Sequence, residues 1–176
     1  MNIISIEGPD RLGKTTISKL LAERLGYTYI KFPNEDYYSG KIIRQILKRE
    51  LPFEPASFQA LQILNRFETF EHLDPDGDYI FDRYKLSGIV YGLADGLPEE
   101  WIRETCNYLP DADYTIVLYG IPYGEDDDIY SAKQIEIAWL YCEEIITWQY
   151  PSVYVNGQTV EELYAEIVAK LPEEFL

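Results

Sequence analysis

The strongest chemical signal in the sequence lies at residues 8–15, which read GPDRLGKT. They match the pattern G-x-x-x-x-G-K-[ST] and stand between an apolar run and a helical period, the context that this phosphate-binding motif requires. Glycines let the backbone turn its N–H groups toward phosphate oxygens, while the lysine reaches the β- and γ-phosphates and the threonine ligates Mg²⁺. A glycine turn with an unrelated lysine is the alternative, and the context disfavours it. The predicted ATP-binding residues, with Mg²⁺ as cofactor, are Gly8, Gly13, Lys14, Thr15 and Thr16.

A second chemical group follows the apolar run at 79–84, which reads YIFDRY. An open α/β sheet presents groups to its ligand at the carboxyl edge, so Asp82 would orient Mg²⁺ together with Thr15. Capping of the next helix is an equally good reading of Asp82 alone. Arg83 adds a planar donor fork for a second phosphate, and Arg66 within an amphipathic helix supplies another. The two arginines predict a basic cleft.

The elements that must hold these groups form one alternating series of apolar runs and helical periods. Strands are predicted at 2–7, 27–32, 79–84, 114–119 and 152–155. Helices are predicted at 14–25, 39–50, 55–73, 87–108 with a break near 96–98, 131–148, and after a capping box at Thr159 and Glu162. This order predicts an α/β fold with a five-stranded parallel sheet flanked by helices on both faces. No composition break interrupts the chain, so one domain is expected over residues 1–176.

Composition limits the partners of the chain. It has 176 residues, 47% of them hydrophobic, and a net charge of −16. Such a charge repels phosphate backbones, so neither a nucleic-acid nor a membrane partner is expected. The start has no basic leader and no run of about 18 apolar residues occurs, which favours a cytoplasmic protein. Cys106 and Cys142 have no metal-ligand spacing and are expected to be reduced thiols.

The chain resembles the thymidylate kinase family of P-loop nucleoside monophosphate kinases. The matching blocks are EGPDRLGKTT at 7–16, FP at 32–33, LNRFE at 64–68 and DRYKLSG at 82–88, in the family's order over nearly the whole length. The resemblance implies a P-loop NTPase three-layer sandwich. It also implies ATP-dependent phosphorylation of a deoxynucleoside monophosphate, dTMP to dTDP, by a homodimer.

The same resemblance assigns roles to individual residues. Lys14 and Arg11 would stabilise charge on the transferring phosphoryl group, as an arginine finger supplied by the same chain. Arg66 and Arg83 would grip the acceptor phosphate, and Tyr91 would pack where a ribose 2′-hydroxyl would fall, which predicts a preference for deoxynucleotides. The catalytic set is Lys14, Arg11, Asp82 and Arg83. The acceptor-binding set is Asp10, Phe32, Pro33, Gln62, Arg66, Arg83, Ser87, Gly88 and Tyr91.

Three departures from the family pattern keep alternatives open. Asn34 and Glu35 stand where the family has an arginine, so one phosphate contact is expected to be lost. Gln62 replaces an aromatic residue that stacks on thymine, which leaves a modified or different pyrimidine as an alternative acceptor. The absence of arginine and lysine from the lid expected at residues 120–130 agrees with a family type that carries its catalytic arginine in the phosphate loop, here Arg11, but the end of the lid, Asp128-Ile129-Tyr130, replaces the family's Asp-Arg-aromatic pattern. Together the departures leave a catalytically weak nucleotide-binding regulatory protein as an alternative. A nucleoside or small-molecule kinase, which would share the phosphate loop, is a further alternative, and Arg66 and Arg83 argue against it.

Overall fold

The computed structural model describes residues 1–122 and 128–176, so five residues of the expected lid, 123–127, lie outside the described part. The strands are β1 Ile3–Glu7, β2 Thr28–Lys31, β3 Tyr79–Asp82, β4 Tyr114–Gly120 and β5 Ser152–Val155. The helices are α1 Lys14–Leu25, α2 Tyr38–Leu47, α3 Pro55–Phe70, α4 Lys85–Ala94, α5 Glu99–Asn107, α6 Gln134–Trp148 and α7 Val160–Val168. The predicted order of elements is confirmed, with ends displaced by a few residues. The predicted capping box at Thr159 and Glu162 is also present.

The five strands form one sheet in the order β2-β3-β1-β4-β5, and every neighbouring pair is parallel. All residues of β1 and β3 are buried, as expected for strands covered on both faces. Apolar residues of α1 and α7 pack on one face of the sheet, and those of α4 and α6 pack on the other. The predicted three-layer α/β architecture is confirmed.

The strand order creates a crevice between β1 and β3. From β1 the chain crosses toward β2, at one edge of the sheet, whereas from β3 it crosses toward β4 on the opposite side. Ligands of open α/β sheets bind outside the carboxyl ends of strands at such a reversal. The phosphate loop follows β1 and Asp82 ends β3, so the fold brings the two chemical signals of the sequence to one place.

Within 1–122 and 128–176, no helix combines the length and apolar character needed to cross a bilayer.

Candidate active site

The phosphate loop holds its shape through glycine backbone conformations. Gly8 has φ 137°, and a Cβ atom there would lie 2.3 Å from the carbonyl oxygen of Leu118 in β4. Gly13 has φ 76° and immediately precedes α1, whose first turn therefore points its N–H groups into the loop. Arg11 also has positive φ, at 62°, which is uncommon in a non-glycine residue and is found at functional sites. The donor pocket around the loop is lined by Asp10, Arg11, Gly13, Lys14, Thr15, Thr16, Lys31, Asp82 and Arg83.

Lys14 is buried at the floor of this donor pocket. Its ammonium donates to the carbonyl oxygen of Pro9. Burial and, to a smaller extent, the charge of the nearby Arg83 lower the pKa of Lys14 to about 7, while Asp10 and Asp82 oppose the shift. The negative charge of an arriving phosphate would therefore stabilise the charged form of Lys14.

Thr15 and Asp82 form an oxygen pair that fits Mg²⁺. The Thr15 hydroxyl donates to Oδ2 of Asp82 over 2.6 Å, and the Tyr29 hydroxyl donates to the same oxygen over 3.2 Å. Mg²⁺ prefers oxygen ligands and is commonly held by one or two protein groups together with phosphates and waters. Within the described residues no group of three or more His, Cys, Asp or Glu side chains could hold a metal alone. The donor set therefore suits a metal that arrives with a nucleotide.

Arg83 lies where the donor and acceptor pockets meet. One of its terminal nitrogens forms an ion pair with Asp10, and the other donates to the Gly8 carbonyl over 3.0 Å and to the Ser87 hydroxyl over 3.1 Å. The Tyr91 hydroxyl donates to the second carboxylate oxygen of Asp10. Burial opposes ionisation of Asp10, but the charges of Arg83 and Lys14 together with the hydrogen bonds from Tyr91 and Arg83 outweigh it and hold the pKa of that carboxyl well below its usual range. Asp10 and Arg83 are therefore held in place as a charged pair.

The acceptor pocket opens beside this pair. Every residue of the predicted acceptor-binding set lines it: Asp10, Phe32, Pro33, Gln62, Arg66, Arg83, Ser87, Gly88 and Tyr91. Asp128 and Tyr130, from the end of the expected lid, also line it, as do residues that the sequence did not single out: Lys31, Arg44, Leu47, Phe58 and Gln59. The fold therefore brings together residues from positions 10 to 130 of the chain. Their individual roles remain predictions.

Arg66 is the second cation of the acceptor pocket, and its side chain is held without a direct ion pair in the described residues. Its Nε and one terminal nitrogen donate to the Tyr84 carbonyl over 3.2 and 3.0 Å, and the other donates to the Gln62 carbonyl over 2.7 Å. The guanidinium carbon lies 5.5 Å from the centroid of the Phe32 ring. Burial lowers the pKa of Arg66, and the nearby Cys106 and Glu7 oppose the shift only in part. This positive charge is available to an anionic ligand.

Glu7 is a buried acidic residue beneath both arginines that the sequence reading missed. Its carboxylate accepts the backbone N–H of Tyr84 over 2.8 Å, and the N–H and hydroxyl of Ser87 over 3.2 and 2.5 Å. Burial raises the pKa of Glu7, while the bonds from Ser87 and the charge of Arg83 oppose the rise. Glu7 thus ties the end of β1 to the first turn of α4. The available signal was a carboxylate at the end of a strand whose other residues, apart from Ser5, are apolar.

Arg44 was also missed by the sequence analysis. It bears on the phosphate contact expected to be lost where the family has an arginine after the Phe-Pro pair. It projects from α2 into the acceptor pocket, and its Nε donates to the Glu35 carboxylate over 2.8 Å. The helical period of α2 places Arg44 near the buried Gly40 and Ile43, which was the signal available in the sequence. The acceptor pocket therefore has a cation on this side, although the residues that follow Pro33 supply none.

Comparisons with known proteins agree with this geometry. The family model described as thymidylate kinase matches residues 6–122. The chain is 34% identical to thymidylate kinase of Schizosaccharomyces pombe over 70% of this chain and 67% of that protein. It is 32% identical to thymidylate kinase of Caenorhabditis elegans over 63% of this chain and 59% of that protein. The chain thus spans about 60% of the length of several relatives that it matches.

Solved structures share the fold over nearly the whole chain. The structure of thymidylate kinase from Candida albicans superposes with a TM-score of 0.79 at 25% identity, covering 96% of this chain and 89% of that one. A structure from Ehrlichia chaffeensis, with a TM-score of 0.78 at 18% identity, agrees in fold. With the family model matching most of its length and the site residues assembled around two adjoining pockets, the chain belongs to the thymidylate kinase family.

Proposed function

We propose that this chain transfers the γ-phosphate of ATP to dTMP, giving ADP and dTDP, in the presence of Mg²⁺. The observation that carries the proposal is the meeting of two pockets at Asp10, Lys31 and Arg83. One pocket contains a phosphate loop, and the other contains Arg66 and Arg83. A kinase whose acceptor has no phosphate, such as a small-molecule kinase, would not need these two arginines.

In the donor pocket, the loop amides and the first turn of α1 bind the phosphates of ATP, and Lys14 contacts the β- and γ-phosphates. Thr15 and Asp82 would hold Mg²⁺, which when bound would neutralise charge on the phosphate oxygens. Arg11 then stabilises the charge that spreads over the γ-phosphoryl oxygens during transfer. Different residues of the phosphate loop therefore bind the nucleotide and stabilise the charge on the transferring phosphoryl group.

In the acceptor pocket, Arg66 and Arg83 hold the phosphate of dTMP with one oxygen facing the donor. A phosphate monoester is largely a dianion at neutral pH, so this oxygen attacks without a protein base. Its new bond to the γ-phosphorus forms as the bond from that phosphorus to the bridging oxygen breaks, which releases ADP. Asp10 lies close to the sugar hydroxyl, while the Tyr91 ring leaves no room for a 2′-hydroxyl.

The test is ADP release with Mg-ATP over a panel of acceptors: dTMP, dUMP, dCMP, 5-hydroxymethyl-dUMP, UMP and free thymidine. We expect dTMP to give the highest kcat/KM, UMP to be poor, and thymidine to be inert. Turnover only with thymidine would replace the proposal by a nucleoside kinase. ATP binding without acceptor-dependent release would replace it by a regulatory nucleotide-binding protein.

We also propose that the chain forms a homodimer. Its support, beyond the family resemblance, is an apolar stripe on the exposed face of α6, where Ile135, Trp139 and Ile146 are 79%, 68% and 78% exposed. These positions are spaced four and seven residues apart, so they share one helix face. Trp139→Glu should convert a dimer to a monomer in light scattering. Tyr154→Glu, which places the same charge at another exposed aromatic residue, should leave the dimer intact. An unchanged mass for Trp139→Glu would exclude this interface.

A further inference from the structure

Lys31 lies at the boundary of the two pockets. It is the last residue of β2 and stands beside Asp82 of β3 in the sheet register. Asp10, Lys31 and Arg83 are the residues that line both the donor and the acceptor pocket. Two of the three are cations, and the sequence motifs account for Arg83 but not for Lys31.

The contacts of Lys31 differ from those of Arg83. Its ammonium donates to the Thr15 hydroxyl over 3.2 Å and lies 3.9 Å from Oδ2 of Asp82. The Lys31 side chain is 40% exposed, whereas the Arg83 side chain is 14% exposed and is held by Asp10 and by acceptors around it. A lysine on a flexible stem carries a compact charge with three donors that reorients readily. Lys31 can therefore move with a phosphoryl group where Arg83 cannot.

Phosphoryl transfer needs positive charge at this boundary. The transferring group carries its charge on three equatorial oxygens, and catalysis consists largely of positioning and electrostatic stabilisation. The segment 120–130 has no arginine or lysine and contains four acidic residues, so its sequence adds no cation to those of the phosphate loop.

We propose that Lys31 is a further catalytic residue, whose ammonium contacts the phosphoryl group as it passes from ATP to the acceptor. The inference rests on the proposed function, and it names a second cation that acts beside Arg11 on the transferring group. The ammonium contacts the Thr15 hydroxyl and lies near Oδ2 of Asp82, the same oxygens that suit Mg²⁺. Metal and lysine therefore compete for these oxygens, and a bound metal would turn the ammonium toward the phosphates.

The variants Lys31→Met and Lys31→Arg separate charge from structure, with Lys41→Met as a matched control on the exposed surface of α2. Loss of one charge-stabilising donor should lower kcat of Lys31→Met by about 100-fold, with KM for ATP and dTMP nearly unchanged. Lys31→Arg should recover most of the rate, and Lys41→Met should behave like the wild type. An unchanged kcat in Lys31→Met, or a loss confined to KM, would overturn the proposal.

A binding experiment separates this inference from the proposed function. The probe is a stable bisubstrate analogue in which adenosine and deoxythymidine are joined by five phosphates, measured by calorimetry without turnover. Lys31→Met should weaken the analogue by about tenfold while binding of ATP alone and dTMP alone changes little. Equal analogue affinity in Lys31→Met and wild type would overturn the role of Lys31 even if the chain proved inactive on every acceptor. A wild type that binds the analogue but turns over no acceptor would overturn the proposed function alone.

Discussion

The donor and acceptor pockets adjoin, but they are built in different ways. Most of the donor pocket comes from the contiguous residues 10–16, and its shape depends on local backbone conformations such as those of Gly8 and Gly13. The acceptor pocket is assembled from β2, α2, α3 and α4, with residues from 10 to 130 of the chain. A local site can be recognised as a motif, whereas an assembled one depends on the fold. The difference also predicts which substitutions affect which substrate.

The largest expected effect tests whether the donor pocket separates binding from chemistry. Arg11→Ala should lower kcat by about 10³-fold or more, because an arginine finger stabilises charge that develops only during transfer. The affinity for ATP should hardly change, as measured by calorimetry. Arg24→Ala, at an exposed arginine paired with Glu161, is the control and should keep full activity. A parallel loss of ATP affinity in Arg11→Ala would place Arg11 among the binding residues instead.

The acceptor pocket should respond in KM rather than in kcat. Arg66→Lys keeps the charge but loses the planar fork, and the loss of one charge-assisted hydrogen bond, about 1.5–3 kcal/mol, should raise KM for dTMP by about 10- to 100-fold. KM for ATP should stay constant in the same assay. Since Arg66 is buried, thermal unfolding is the necessary control. Equal changes in both KM values would show that Arg66 supports the fold and not the acceptor site.

Glu7 lies beneath the boundary of the two pockets, so its substitution tests whether the donor and acceptor pockets respond separately. Glu7→Gln keeps the size of the side chain but places an amide where Ser87 and Tyr84 now donate. We expect kcat/KM for dTMP to fall by about tenfold, since Ser87 would no longer orient Arg83, while ATP affinity changes less. A loss of the same size for both substrates would mean that Glu7 stabilises β1 and the loop as a whole.

The smallest effect concerns the base. Gln62→Phe adds an aromatic face to the acceptor pocket, and stacking on thymine should strengthen dTMP binding by about 1 kcal/mol, a fivefold fall in KM. Gln62→Leu is the matched control because it is apolar but has no aromatic face. If both variants bind dTMP more weakly than the wild type, the Gln62 side chain itself recognises the base.

Much of the fold could be predicted from the sequence, because its apolar runs and helical periods are long and regular. The donor site was equally accessible, since its function depends on adjacent residues. In the acceptor site, the family resemblance indicated Arg66, Gln62 and Tyr91, and the fold places all three on one pocket. Lys31, Arg44 and Glu7 were missed for a common physical reason. Each acts through neighbours more than fifteen positions away or through a helix face, and no local pattern records such contacts.

The basic crevice lies in a protein with a net charge of −16, and this has a kinetic consequence. A nucleotide anion approaching from a distance meets repulsion first and feels the attraction of Arg66, Arg83 and Lys14 only near the opening. Salt shortens the reach of both fields, from about 30 Å at 0.01 M to about 8 Å at 0.15 M ionic strength. The distant repulsion is screened first, so nucleotide capture should accelerate with moderate salt, the reverse of an enzyme that steers its anionic substrate with a positive surface.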